Sequence, residues 1–297
     1  MTIPFYPEFT SLTLELKDAV NENLLRAPDG VSEFSFAGLY LFRERYGYRI
    51  SKTKDEALIL SGVQPAKEPG LPARSFFMTP SAPVDKGVLD ELFSTHDFWK
   101  DISDSILAQY SEHIKDPGIE ISEDRDNFDY LYLRSELAEL PGKKFHKKRN
   151  LVAQFNSEYV CTSKPISAET SADALAVLEG WEADREKPAD YVPATEALKL
   201  HAELGLTGSV YYIENRPAAW CLGENSVQRK MFTIHFEKAL EEYKGIYQYI
   251  NQAFAASLPA DIVYLNREQD LGDEGLRQAK LSYRPCGFVR KFTGTKK

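Results

Sequence analysis

The sequence predicts an α/β protein made of two similar halves. Segments with apolar residues at helical spacing alternate along its 297 residues with short segments rich in β-branched and aromatic residues. Both halves present these elements in one order: helices precede a pair of strands joined by a charged turn, and strand, helix and strand follow. We therefore expect two mixed, mostly antiparallel sheets flanked by helices, although no sequence repeat connects the halves.

The first half begins with two expected helices. Residues 9–25 have helical spacing, and Ser32 or Ser35 is expected to cap a second helix that ends at Gly47. The charged segment between the first two expected strands indicates a hairpin. The other expected elements of this half are strands at 48–50, 57–63, 75–78, 119–121 and 128–133 and helices at 86–93 and 102–114.

The second half repeats the order of elements. Its expected helices are at 171–181, 194–204, 246–254 and 276–283, and its expected strands are at 209–213, 218–222, 231–236, 262–265 and 288–292. The boundary is expected near residues 154–162, which gives domains of 1–156 and 157–297. We expect the second domain to carry the active site.

Composition excludes several classes of protein. A net charge of −9 disfavours binding of nucleic acid or anionic membrane by the whole surface, so such a partner needs a local basic patch. Three cysteines without paired spacing and five scattered histidines predict neither a disulfide framework nor a metal site. The absence of a leader pattern and of a long apolar run predicts a soluble, cytoplasmic protein without a transmembrane segment.

The most informative stretch is IVYLNREQDLGDEGLRQAKLSY, residues 262–283. Its apolar start predicts a strand, and Asn266, Arg267, Glu268 and Asp270 follow where that strand should end. Open α/β sheets commonly bind ligands at such strand ends. These side chains are therefore candidate site residues.

The helix after this strand carries a lysine on an expected buried stripe. Asp273 is its expected N-cap, and Leu276, Ala279 and Tyr283 form the stripe, which also includes Lys280. A buried ammonium group needs a partner, and the carboxylates of Glu268 and Asp270 are the candidates. A structural ion pair and a functional polar site are both compatible with this pattern.

The sharpest concentration of positive charge is GKKFHKKRN, residues 142–150. If the segment is helical, Lys144 and Lys148 lie within an apolar face that also includes Phe145. They can pack their stems at the edge of the core, or they can bind a phosphate of a ligand, with Arg149 and Asn150 beside them.

Residues 231–251 provide the remaining candidates. His235 and Glu237 are expected on one face of a strand, where His235 is a possible base but more often a hydrogen-bonded structural residue. A glycine before a helix can expose backbone amides to an anion, although one glycine is a weak signal. The candidates at this second position are Gly245, Tyr247, Gln248 and Asn251.

Four stretches together resemble one family. They are SEFSFAGLYLFR, GKKFHKKRN, HFEKA followed by GIYQYIN, and LNREQDLGDEGLRQAKLSYRP, and they match in order over nearly the whole chain. The sequence resembles the phosphatidylglycerol lysyltransferase C-terminal-domain family, which is related to the Fem aminoacyltransferases. The resemblance implies a tandem of two GNAT (Gcn5-related N-acetyltransferase) folds.

The resemblance also implies a reaction. The donor would be an aminoacyl-tRNA, and the acceptor an amine or hydroxyl on a small molecule, a peptide or a lipid headgroup. Lys144 and Lys148 would then face donor phosphates and Lys280 would stabilise charge. Glu237, Glu268 or Asp270 would orient the attacking amine.

Two other functions stay open at this point. The first is a CoA-dependent N-acyltransferase, although the segment around residues 237–254 lacks the Gln/Arg-x-x-Gly-x-Gly/Ala pattern of acyl-CoA-binding GNAT proteins. No other cofactor is expected. The second is a non-catalytic protein that binds a charged metabolite, which would bind its ligand without consuming a donor.

Overall fold

The computed structural model describes residues 2–66, 70–111, 118–183, 190–226 and 230–297. The chain forms two compact units. The first comprises Met1–Asp129, Gln269–Gly272 and Val289–Lys297, and the second comprises Tyr130–Glu268 and Asp273–Phe288.

Helices and strands alternate along the described chain. The helices are α1 (Lys17–Leu24), α2 (Phe36–Leu41), α3 (Arg43–Tyr46), α4 (Lys86–Thr95), α5 (Asp104–Gln109), α6 (Arg134–Glu139), α7 (His146–Glu158), α8 (Ser171–Ala183), α9 (Tyr191–Lys199), α10 (His201–Leu204), α11 (Ile246–Ser257) and α12 (Glu274–Leu281). The strands are β1 (Thr10–Ser11), β2 (Arg49–Lys52), β3 (Leu58–Gln64), β4 (Arg74–Met78), β5 (Phe98–Ser103), β6 (Ile119–Glu123), β7 (Asp129–Leu133), β8 (Cys161–Pro165), β9 (Thr207–Ile213), β10 (Arg216–Ser226), β11 (Met231–Ala239), β12 (Tyr264–Asn266), β13 (Gly287–Val289) and β14 (Lys291–Lys296).

The sheet of the first unit has the strand order β1-β2-β3-β4-β5-β14-β6. Neighbouring strands are antiparallel except β4 and β5. These two are parallel and pair only at Phe76–Phe98 and Phe77–Trp99. Aromatic packing fills the core beside them, with the rings of Phe77 and Trp99 stacked at 5.9 Å.

The sheet of the second unit follows the same pattern, in the order β8-β9-β10-β11-β12-β7-β13. From β8 to β7 its neighbours are antiparallel except β11 and β12, which are parallel. The expectation of two mixed, mostly antiparallel sheets flanked by helices is therefore confirmed. The core of this unit lies between its sheet and α11, where Phe254 packs edge to face on Phe232.

Several local predictions hold because a specific side chain sets the element. The Ser35 hydroxyl accepts a hydrogen bond from the Gly38 amide and caps α2, and Gly47 ends α3 with φ at +58°. Asp273 caps α12 through the Leu276 amide, as expected. Strands β2 and β3 form the expected hairpin.

Other elements differ from the expectation. The helix expected at 9–25 is reduced to α1 because β1 and a 3₁₀ turn (Leu14–Leu16) precede it. Strands β5 and β8 and helix α6 were not expected. The helix expected at 102–114 begins as α5 after β5, and its residues 112–114 lie outside the described residues. The strand expected at 288–292 is two strands, β13 and β14, which lie in different sheets.

The division into units also differs from the expected domains, 1–156 and 157–297. Residues 130–156 lie in the second unit because β7 pairs with β12, and α6 and α7 pack on α11. The C-terminal strand β14 lies in the first unit, where it pairs with both β5 and β6. Long-range pairing of this kind leaves no local trace in the sequence.

None of the helices in the described part of the chain has the length and apolar character that crossing a membrane requires.

Strand β11 contains a bulge beside a glycine of β10. Leu222 pairs with Phe236 and Gly223 pairs with Ile234, which leaves His235 as the additional residue. A Cβ atom at Gly223 would lie 2.0 Å from the Thr233 carbonyl oxygen. The bulge therefore requires glycine at this position.

We expect the substitution Gly223→Ala to lower the free energy of unfolding by about 2 kcal/mol or more, because the added methyl group overlaps the backbone of β11. The matched control is Gly287→Ala, since a Cβ atom at Gly287 meets nothing within 4 Å. Urea unfolding of both variants measures the difference. Equal stability of the two variants would contradict the close approach at the bulge.

Candidate functional site

The candidate site lies where two parallel strands of the second unit separate. Strands β11 and β12 pair at three positions, and the last pair is Thr233 with Asn266. Beyond it β11 continues to Ala239, whereas β12 ends. Charged side chains from both strands meet across the gap that this separation opens.

The first contact across this gap is an ion pair between Arg267 and Glu237. Arg267 Nη2 lies 2.7 Å from Glu237 Oε1, and both side chains are largely buried, with 16% and 12% exposure. Burial would lower the pKa of Arg267, but the carboxylate of Glu237 keeps this pKa raised. Arg267 is therefore charged, and such a charge-assisted bond is strong.

The second contact places His235 between two carboxylates. Its Nδ1 lies 2.7 Å from Glu268 Oε1, and its Nε2 lies 2.8 Å from Glu224 Oε1 on β10. Burial would lower the pKa of His235, but the hydrogen bonds and charges of the two glutamates outweigh it and raise this pKa to about 10. The imidazole is protonated at neutral pH and does not act as a base there.

The bulge changes which face of β11 each side chain occupies. Sequence alternation placed His235 and Glu237 together, opposite Phe232 and Ile234. The additional residue shifts the alternation by one, so Ala239 packs in the same core cluster as Phe232 and Ile234, and Glu237 lies on that face. The expected shared face of His235 and Glu237 is therefore wrong, because a bulge was not recognisable in the sequence.

Lys148 of α7 packs on the same group of side chains. Its Nζ lies 3.9 Å from the centre of the Tyr283 ring, a cation–π contact. The Arg267 guanidinium lies 5.6 Å from the same ring. Burial, together with the positive charge of Arg267, lowers the pKa of Lys148 to about 8. A lysine in this state can bind as a cation or accept a proton near neutral pH.

Lys280 holds the backbone at the end of β12. Its Nζ donates to the carbonyl oxygens of Arg267, at 2.5 Å, and Glu268, at 3.1 Å. The Glu268 carboxylate, one expected partner, bonds to His235. The expected buried stripe of α12 is wrong: Leu276 and Ala279 are exposed, and only Tyr283, beyond the end of the helix, is buried.

Two asparagines close to the separating strands are buried. The Asn266 side chain accepts a hydrogen bond from the Glu268 amide and supports the left-handed conformation of Glu268, at φ 55°. Asn251 on α11 is 2% exposed, and neither atom of its amide group has a hydrogen-bond partner in the described part of the chain. Unsatisfied buried amides are costly, so this one calls for a ligand or water.

The position of Asn251 follows from its neighbours along the helix. Tyr247, one turn before it, contacts the backbone of Ala239 through its hydroxyl group. Phe254, almost one turn after it, packs on Phe232. Asn251 lies between Tyr247 and Phe254 on α11, the helix that packs on β11.

The segment before α11 does not resemble a phosphate cradle. Gly245 has φ +88°, and a Cβ atom there would lie 2.9 Å from the Leu151 carbonyl oxygen of α7. Two exposed carboxylates, Glu241 and Glu242, occupy the same segment. Oxygen atoms so placed disfavour an anionic group.

The remaining candidates make contacts with other residues or are exposed. Lys144 is exposed and pairs with Glu136 at 2.6 Å, and Arg149 donates to the Gly142 carbonyl at 2.6 Å. Asn150 is exposed and Gln248 is half-buried. Asp270 belongs to the first unit, where it accepts from the Gly272 amide and pairs with Arg125.

Sequence reasoning missed three members of the site. Glu224 is the second partner of His235, Tyr283 supports Lys148, and the Tyr132 hydroxyl donates to the Lys280 carbonyl at 2.8 Å. A charged residue beside a glycine within an otherwise buried strand was the available signal for Glu224.

A metal site does not emerge from the described residues. No group of three or more His, Cys, Asp or Glu side chains in them is arranged to hold an ion. His113 lies outside the described residues.

Solved structures identify the fold of this protein. The chain is similar to FemX, with TM-score 0.57 and 10% identity over 98% of this chain and 97% of that chain. It is also similar to a tandem GNAT protein from the clavulanic acid biosynthesis pathway, with TM-score 0.51 and 10% identity over 97% and 98%. The fold is therefore a tandem GNAT fold, which FemX shares.

The family follows from the sequence match. The chain belongs to the phosphatidylglycerol lysyltransferase C-terminal family, whose model matches residues 26–293. A conserved protein of unknown function from Bacteroides thetaiotaomicron is similar over 100% of both chains, with 29% identity and TM-score 0.85. The expected family and the expected tandem GNAT fold are thus confirmed.

The protonated His235 makes stability depend on pH. Its folded-state pKa of about 10 exceeds the ordinary value of 6.5, so its stabilisation is complete below pH 6.5 and is lost as pH rises through 10. We compare the free energy of unfolding of the wild type with that of the His235→Gln variant. The advantage of the wild type should be about 3–5 kcal/mol larger at pH 6 than at pH 10.5. Denaturant unfolding at several pH values measures this difference. A difference that does not change with pH would contradict the assignment.

Proposed function

We propose that the second unit transfers an aminoacyl group from aminoacyl-tRNA to an amine or hydroxyl acceptor. The family and the fold support acyl transfer in general. The observation that carries the finer proposal is the group formed by Glu237, Arg267, Lys148 and Tyr283 where β11 and β12 separate. In this group, the Glu237 carboxylate can bind an amino group and Lys148 can exchange a proton.

Glu237 is suited to the α-amino group of the donor. Arg267 occupies its Oε1, and Oε2 can accept from a substrate ammonium group. The bond to Arg267 fixes the carboxylate in one orientation, so little ordering accompanies binding. The Asn251 amide, which has no hydrogen-bond partner among the described residues, can bond to the carbonyl oxygen or the amino group of the same aminoacyl moiety.

Lys148 is suited to move the proton. The neutral lysine takes the proton from the acceptor as the C–N or C–O bond to the carbonyl carbon forms. The tetrahedral intermediate then collapses, the ester bond to the ribose breaks, and the proton passes from Lys148 to the leaving ribose oxygen. A pKa of about 8 permits both transfers near neutral pH. Arg267 lies close enough to this lysine to affect its pKa and can stabilise the oxyanion.

The tRNA itself would contact the basic segment before and within α7. Lys143, Lys144, His146 and Lys147 are exposed there in an otherwise acidic protein. Phosphate contacts by such side chains position a nucleic acid without reading its sequence. A cytoplasmic location, where aminoacyl-tRNA is made, belongs to this proposal.

An acyl-CoA donor is the less favoured alternative. The resemblance to the GNAT pattern implies an acyl-donor loop around residues 237–254, and the Leu151 carbonyl oxygen beside Gly245 and the exposed carboxylates of Glu241 and Glu242 are unfavourable there for the phosphates of CoA. We therefore propose that no CoA co-substrate is used. A protein that only binds a metabolite would consume neither donor.

The first test is donor turnover. We expect the protein to consume bulk aminoacyl-tRNA in the presence of a mixture of amine and hydroxyl acceptors, and to leave acetyl-CoA intact. Glu237→Gln should lower the rate about 10- to 100-fold, because one charge-assisted hydrogen bond to the donor is weakened. Glu241→Gln, at an exposed carboxylate outside the site, is the matched control.

Three outcomes of this test contradict the proposal. They are consumption of acyl-CoA alone, consumption of neither donor, and equal rates for the Glu237→Gln and Glu241→Gln variants. Far-ultraviolet circular dichroism of each variant verifies that it is folded.

The second test separates the two roles of Lys148. If the neutral lysine accepts the proton, the transfer rate rises with pH to a plateau above about pH 8. The transfer rate of the Lys148→Arg variant is then about 100-fold lower, because arginine stays protonated. If Lys148 only holds a donor phosphate, Lys148→Arg stays active and the rate declines as pH rises. Lys147→Arg, at the exposed neighbouring position, is the control.

A further inference from the structure

The first unit contains buried charges that the proposed transfer does not use. Lys291 on β14 bonds to Glu33 Oε2 at 2.5 Å and to Asp129 Oδ1 at 2.7 Å. On β5, Lys100 bonds to Asp101 Oδ2 at 2.5 Å. Lys100, Asp101, Asp129 and Lys291 are all less than a tenth exposed, and the Glu33 side chain is 17% exposed.

The position of Lys100 and Asp101 corresponds to that of Arg267 and Glu268. In each sheet the parallel pair ends at one last residue, Trp99 on β5 and Asn266 on β12. A basic residue and an acidic residue follow directly in both cases. Asp101 and Glu268 both have φ at +55°, an uncommon conformation for a residue with a side chain.

The two sites differ in the partner of the acidic residue. His235 lies two positions beyond the last residue of β11 that pairs with β12, and its imidazolium bonds to Glu268. Two positions beyond the last pair on β4 stands Thr79, an uncharged residue that accepts from the Tyr110 hydroxyl at 3.2 Å. Among the described residues, Asp101 Oδ1 has no hydrogen-bond partner although Asp101 is only 1% exposed.

The charges of this group do not balance. Three carboxylates, those of Glu33, Asp101 and Asp129, face two ammonium groups, those of Lys100 and Lys291. Burial and the charge of Glu33 raise the pKa of Asp101 to about 6, and the two lysines oppose this increase. A buried carboxylate oxygen without a partner requires a proton or another cation.

Aromatic rings beside this group favour an organic cation. The rings of Tyr46 and Tyr48 lie 5.4 Å apart, and the Phe76 ring lies 6.0 Å from that of Tyr48. Lys100 Nζ already lies 5.6 Å from the centre of the Phe76 ring. The charge of Asp101 contributes to the raised pKa of Tyr48, which shows that the two groups are close. Ring faces and a carboxylate together suit an alkylammonium group.

We propose that the first unit contains a second binding site, in which Asp101 Oδ1 receives the primary ammonium group of a small organic ligand. The ammonium group takes the role that the His235 imidazolium has in the second unit. This site is independent of the transfer reaction.

The test uses the full chain carrying Glu237→Gln, so that the amine site of the proposed transfer does not contribute. Ligand-observed NMR follows a titration with n-butylammonium chloride at pH 7.5 and constant ionic strength, with n-butanol as the neutral analogue. We expect saturable binding of butylammonium alone. Adding Asp101→Asn should weaken it at least about tenfold, because one charge-assisted hydrogen bond is lost.

Glu268→Gln, the corresponding change in the second unit, is the matched control and should leave the affinity within about twofold. Thr79→His provides a second variant, because it places an imidazole where β11 has His235, and it should also abolish binding. The proposal is overturned if butylammonium does not saturate, if Asp101→Asn and Thr79→His bind as the parent does, or if only Glu268→Gln loses binding.

Discussion

The separation of two parallel strands after Asn266 is the constraint on which the candidate site depends. The chain at that point turns through a left-handed residue, Glu268, and no longer pairs with β11, although the Glu268 carbonyl still accepts from the Tyr130 amide of β7. The Lys280 ammonium group and the Asn266 side chain hold this turn with further hydrogen bonds. Because this turn is held in place, the Arg267 and Glu268 side chains can each reach a different partner on β11.

Burial of these charges has a chemical consequence. Arg267 remains charged because Glu237 is paired with it, and its positive charge in turn makes protonation of Lys148 less favourable. The Tyr283 ring lies near both cations. An ion pair that would be only structural elsewhere thus adjusts the proton affinity of a neighbouring lysine.

Sequence reasoning reached the features that local patterns encode. Apolar spacing and capping residues such as Ser35 and Asp273 located most helices, and motif resemblance identified the tandem GNAT fold. The bulge at His235 and the partner Glu224 come from the register between β10 and β11, which neighbouring letters do not reveal. The sequence also does not indicate the buried pair Lys100 and Asp101, because this pair lies in a strand that apolar spacing does not predict.

Strand β14 also affects the order in which the protein can fold. It separates β5 from β6 in the sheet of the first unit, and among the described residues β6 has no other neighbour in that sheet. A ribosome makes the chain from its N-terminus, so every residue of the second unit emerges before this strand does. The sheet of the first unit therefore closes only after translation has passed β14, and until then β5 presents an unpaired edge to other chains.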